Sequence, residues 1–163
     1  MPITRDDFGR ADDGSTIHRW TLHAGAVRVA ITEIGAAVVG VHAPDRDGAL
    51  ADVVLGFDDG GRYLHDNAPF FGVTVGRYGN RIADGRFTLD GVEHRVPRND
   101  GGVHHLHGGP DGFHVQRWTV TPEDGPAPAL RCSHRSPAGH AGFPGALDVT
   151  VVYRLDADGA LQI

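Results

Sequence analysis

The chain contains no lysine: all 15 basic residues are arginine, and among the 21 acidic residues only Glu33, Glu93 and Glu123 are glutamate. Lysine and glutamate are good helix formers, so their scarcity beside 24 glycines and 10 prolines argues against a mainly helical protein. A single cysteine, Cys132, rules out an internal disulfide and fits a reducing compartment. It sits in the strand-like run Ala129-Leu130-Arg131-Cys132, where a small buried side chain is expected rather than a nucleophile. No apolar run approaches the ~20 residues of a membrane helix. The segment Met1 to Gly14 is polar and acidic with no signal-peptide core, so a cytoplasmic protein is expected. A net charge of -6 with scattered arginines disfavours nonspecific nucleic-acid binding. No GxxxxGK or GxGxxG phosphate loop occurs, and Ser15, Ser133 and Ser136 lie in no nucleophile-elbow context.

What is present has the period of strands. Val27, Val29 and Ile31 alternate with Arg28 and Ala30, while Val53-Val54-Leu55 and Val73-Thr74-Val75 are short β-branched runs. Phe87 to His94 reads as a hairpin, because Asp90-Gly91 supplies the positive φ angles of a two-residue primed turn. Leu147, Val149, Val151, Tyr153 and Leu155 place one face of a long strand inward, with Asp148, Thr150 and Arg154 outward. The stretch Pro122 to Pro128 reads as a loop. At 163 residues the pattern fits one all-β domain, an antiparallel sandwich. Asp156 to Gly159 reads as a further turn and Ala160 to Ile163 as the start of its return strand. Such a short strand leaves an open sheet edge, so the expectation is a piece of a longer domain, truncated within a hairpin.

Two segments carry candidate chemistry. Gly76-Arg77-Tyr78-Gly79-Asn80-Arg81-Ile82 presents an adjacent amide and guanidinium in a glycine-framed turn, and Leu106-His107-Gly108-Gly109 presents an imidazole. Together these groups suit the hydroxyls and ring oxygen of a small polyol. Gly108 and Gly109 are expected to let a ligand approach without a Cβ clash. The cluster His104-His105-Leu106-His107 also reads as a metal candidate, but no second spaced ligand pair accompanies it. His104 and His105 are expected to bond loop backbone instead.

The ordered set of strings resembles the aldose 1-epimerase (galactose mutarotase) family. The run Val53-Val54-Leu55-Gly56-Phe57-Asp58, then Tyr63 and Phe70-Phe71-Gly72, is similar to the segment leading into that family's GR-x-x-NRI motif. GRYGNRIADGRFTLDG follows, with Gly79 where alanine is usual, then LHGG, Gly112-Phe113, Trp118 and the loop Ser136 to Gly145. The resemblance runs from about residue 27 to the end of the chain and matches the N-terminal half of the family's domain.

The resemblance implies an antiparallel β-supersandwich, of which residues 1–163 would be the N-terminal part. It implies that Asn80, Arg81 and His107 bind an aldohexose such as galactose or glucose, with His107 also catalytic. The reaction would interconvert α and β anomers without metal or organic cofactor. The family's catalytic acid, in a TNHSYFNL-like string, and its base glutamate have no counterpart in these 163 residues. The expectation is therefore a chain inactive alone, which self-associates or needs a separately encoded C-terminal half. A carbohydrate-binding module without chemistry and a histidine-rich metal-binding protein are the alternatives.

Overall fold

The strand pattern closes into two antiparallel sheets with an irregular segment between them. In the computed structural model, residues 2–123 and 125–163 are described. The first sheet is a meander of β1 (Ile3–Arg10), β2 (Thr16–Ala24), β3 (Val27–Thr32), β4 (Val38–Pro44) and β5 (Leu50–Asp52), in that spatial order. The second is also a meander, of β10 (Thr119–Glu123), β11 (Ala129–Ser136), β12 (Leu147–Leu155) and β13 (Leu161–Gln162). Between them run the short helix α1 (Gly61–His65) and two ribbons. One pairs β6 (Arg81–Ile82) with β9 (His105–Leu106); the other is the hairpin of β7 (Arg86–Leu89) and β8 (Val92–Arg95).

The two large sheets face each other across the main core. Trp20, Leu22, Val29 and Ile31 from the first sheet meet Leu130, Cys132, Tyr153 and Leu155 from the second, with Phe113 and Trp118 filling one end. Tyr153 donates its hydroxyl to the Ala36 carbonyl at 2.6 Å, and Trp118 Nε1 donates to Phe113 O at 3.1 Å. Both polar tips are thus satisfied inside the apolar layer. Burial pushes the Cys132 thiol up to about 12, as suits a packed thiol and not a nucleophile.

The first sheet is covered on its other face as well. Phe8, Ile17, Ala30, Ile34, Ala37 and Val39 pack with Tyr63 of α1 in a second cluster. The alternation expected for Val27 to Ile31 accordingly fades into consecutive buried residues from Val29 to Thr32. A strand covered on both faces loses its period of two.

The 87–94 hairpin forms as expected, with Asp90 at φ 51° and Gly91 at φ 79°. So does the hairpin through Asp156 to Gly159, where Leu155 pairs with Leu161 and Arg154 with Gln162. Two expected strands do not form. At Val53-Val54-Leu55 the ladder stops because Asp52 Oδ1 accepts the N–H groups of Val41 and Val54, and the three apolar side chains face solvent. Val73-Thr74-Val75 is irregular backbone, with Thr74 N–H donating to Gly35 O in the β3–β4 turn at 2.9 Å. Leu147, expected inside, lies 40% exposed at the outer end of β12. Of the expected 122–128 loop, Pro122 and Glu123 belong to β10, and Asp124 lies outside the described residues.

Candidate functional site

The site is assembled where β6 pairs with β9. Arg81 stands opposite Leu106 and Ile82 opposite His105, which brings the two glycine-rich loops side by side. Asn80 and His107 then clasp each other: His107 N–H donates to Asn80 O at 3.1 Å, and Asn80 N–H donates to His107 Nδ1 at 2.9 Å. Because Nδ1 accepts, the neutral ring carries its proton on Nε2. Both residues pay backbone strain for this clasp, with φ of 63° at Asn80 and 52° at His107. Strain of this kind concentrates at functional sites.

The glycines serve a different purpose from the one expected. A Cβ on Gly108 would lie 1.6 Å from the Gly76 carbonyl oxygen, and one on Gly76 would lie 2.2 Å from the Phe113 ring. These positions let one loop press against the other and against the core, rather than admitting a ligand. Gly79, where the family resemblance expects alanine, has open space around the Cβ position.

Arg81 is half exposed and donates Nε–H to Asp100 Oδ2 at 2.6 Å. That hydrogen bond holds the Asp100 carboxyl below the usual range. Asp100 is in turn fixed by reciprocal backbone bonds with His104 at 2.9 and 3.1 Å. With Nε occupied, the η nitrogens of Arg81 are the ones turned to Asn80 Oδ1, at 3.5 Å, and to solvent. Sequence reasoning missed Asp100, since one aspartate among many at a separation of 19 residues carries no signal.

The other histidines of the cluster diverge. His104 Nδ1 accepts the Asp84 N–H at 3.2 Å, and buried His105 pairs Nδ1 with Pro97 O at 2.8 Å. Both bond loop backbone as expected. Among the described residues, no three His, Cys, Asp or Glu side chains are grouped as metal ligands.

Two further side chains, Phe70 and Arg77, shape the site; both lie in strings singled out from the sequence, which does not mark either as a site residue. Phe70, at φ 60°, lies with its ring centroid 4.7 Å from those of both His107 and His114. His114 is buried, and desolvation, followed by its neighbour His107, lowers its pKa. Arg77 crosses from the motif to the 136–145 loop. Its Nε donates to Ser136 Oγ at 2.9 Å, and its η nitrogens to the carbonyls of Ser136, Pro137, Pro144 and Gly145 at 2.6 to 3.1 Å. Partial burial lowers this guanidinium from its ordinary value. Ser136, fully buried, also contacts His140 Nδ1 at 2.7 Å, so its hydroxyl is a strut of the loop.

Asn80 and Arg81 are exposed, and His107, bonded to Asn80, is half-buried. The neighbouring cavity of about 350 Å³, lined by Arg77, Tyr78, Ile82, Phe87 and Phe143, belongs to the opposite side of β6, since Arg81 and Ile82 alternate along the strand.

Comparison with known proteins bears on the family and the fold. The aldose 1-epimerase family profile matches residues 18–163. Galactose mutarotase of Bos taurus is 41% identical over 157 residues, covering 96% of this chain and 44% of that protein. Aldose 1-epimerase of Escherichia coli (strain K12) is 37% identical, covering 94% of this chain and 43% of that protein. The crystal structure of galactose 1-epimerase from Lactobacillus acidophilus NCFM superposes with a TM-score of 0.82 at 26% identity, over 98% of this chain and 46% of that one. An aldose epimerase homologue from C. elegans gives 0.74 at 30% identity, over 83% of this chain and 41% of that one. The chain thus spans a little under half the length of these relatives. With the match running from β2 to the last residue and both sheets superposing, the chain belongs to the aldose 1-epimerase family.

Proposed function

We propose that this chain supplies one sugar-contacting wall of an aldose 1-epimerase, binding an aldohexose such as galactose or glucose through Asn80, Arg81 and His107. The observation that carries the reading is the reciprocal Asn80–His107 clasp, which leaves His107 Nε2 as the ring's donor on the residue bonded to Asn80, next in the chain to Arg81. A sugar presents ring and hydroxyl oxygens at hydrogen-bond spacing, and these groups offer matching donors. Residues 1–163 form the N-terminal part of that domain in this reading, in the cytoplasm, with no metal or organic cofactor.

Anomer interconversion needs a base to take the anomeric hydroxyl proton while an acid protonates the ring oxygen; the ring opens, the aldehyde turns and the steps reverse. His107 and Arg81 favour charge building on the sugar oxygens. Asp100, the carboxylate paired with Arg81, is committed to that bond and is not a free base. The chain alone therefore binds and polarises, and the acid–base pair comes from a complementary C-terminal half. Carbohydrate binding without chemistry is the second reading, favoured by the same observation, since His107 Nδ1 is already engaged.

Two measurements test this. Galactose titrated into the labelled protein should perturb the amide signals of Asn80 and His107, and His107→Ala or Arg81→Ala should weaken binding about tenfold, some 1.4 kcal/mol. Polarimetry on fresh α-galactose should give the buffer rate with this chain alone. Undiminished binding in both variants would overturn the site, and a rate that tracks protein concentration would overturn the need for a second half.

A further inference from the structure

We propose that the open side of the sandwich between the edge strands β1 and β10 is a second ligand site, for a small organic oxyanion with an apolar body. Two cavities of about 430 and 410 Å³ adjoin there and share Arg5, Trp20 and Val120, so they form one groove. Its inner end is polar, with His18, Glu33, Arg117 and Thr119. Its outer end is apolar, with Pro2, Ile3 and Pro122. The combined space is within the range of small-molecule sites.

The charges at the inner end do not cancel. Buried Glu33 accepts from His18 N–H and Arg117 Nη1, both at 3.1 Å, and Arg117 is anchored further by Thr16 O and Ser15 Oγ. That pair neutralises itself. Arg5 donates Nη2 to His18 Nε2 at 2.6 Å rather than to a carboxylate, which puts the proton of the neutral His18 ring on Nδ1, 3.5 Å from Glu33 Oε1. Asp7 sits 3.9 Å from His18 with its side chain 81% exposed, where solvent screens it. The Arg5 guanidinium also lies 5.5 Å over the Trp20 ring. One uncancelled cation thus stands at the junction of a polar pocket and an apolar trough. Its planar fork suits a carboxylate or phosphate, Thr119 lines the same pocket, and Val120, Ile3 and Pro122 continue as a bed for the ligand's body.

The test uses the protein's own reporters, because its two tryptophans, Trp20 and Trp118, both line this cavity. The whole chain is titrated with benzoate, with phenyl phosphate and with neutral benzyl alcohol while tryptophan emission is followed. A saturable shift with benzoate or phenyl phosphate, absent with benzyl alcohol, supports the site, and the stronger of the two names the oxyanion. Arg5 is exposed, so Arg5→Gln loses its stacking on Trp20 and its bond to His18 but leaves no buried void; it should weaken binding about tenfold, with Arg5→Lys keeping most of it. No saturable shift with either anion, an equal shift with benzyl alcohol, or undiminished affinity in Arg5→Gln would overturn the proposal. None of these outcomes depends on the sugar-binding reading of the β6–β9 face.

Discussion

The sandwich of β2, β3, β11 and β12 and the loop cluster around β6 and β9 hold their shape by opposite means. The sandwich is regular: eight residue pairs in register join β11 to β12, and buried apolar side chains fill the space between the sheets. The loop cluster has two-residue strands, and several of its non-glycine residues sit at positive φ, among them Phe70, Asn80, Asp84 and His107. Ladder bonds cannot hold it. It is held by close backbone approach at Gly76 and Gly108 and by the Arg77 fan of hydrogen bonds. Apolar burial builds the scaffold without regard to direction, while the site needs directed contacts that fix a few donors in place.

The sharpest way to break this contrast is to attack the scaffold. Trp118→Ala removes a fully buried ring and its bond to Phe113 O, and should lower stability by about 3–5 kcal/mol, read by denaturant or thermal unfolding. A smaller loss would mean that the core tolerates voids at its end. Next comes a matched pair of glycines. Gly108→Ala, at φ +88° with its Cβ against Gly76 O, should cost about 2–3 kcal/mol and abolish galactose binding. Gly14→Ala, at φ +79° with open space around it, should cost about 1 kcal/mol from backbone strain and leave binding intact. Equal effects would show that loop approach is not what the motif glycine provides.

Arg77→Met keeps the aliphatic stem but removes every bond to the 136–145 loop. It should cost about 1–3 kcal/mol and speed hydrogen exchange there more than in β11 and β12. The smallest effect is on pH. Burial holds His114 and His134 below the ordinary imidazole value of 6.5, so the folded chain keeps them uncharged. As pH falls through that value the unfolded chain takes up protons that the folded one refuses, so stability present above it is lost on acidification. Tm should drop between about pH 7.5 and 5.5, and His134→Phe, packing on Phe113 and Trp118, should flatten the slope.

The sequence by itself determined the all-β class, the 87–94 and 156–161 hairpins, the inward face of β12 from Val149 to Leu155 and the candidacy of Asn80, Arg81 and His107. Each of these rests on local rules: a period of two, Asp-Gly turns, or glycine-framed polar residues. The tertiary structure alone decided the rest. Val53 to Leu55 looked like a strand until Asp52 capped its ladder, and Val29 to Thr32 lost its alternation because α1 covers the far face. Asp100 and Arg77 are tied to partners 19 and 59 residues away, where their own neighbours in the chain give no sign of the pairing. Gly108 looked like room for a ligand and proved to be room for Gly76, because a missing Cβ records that something comes close and not what it is.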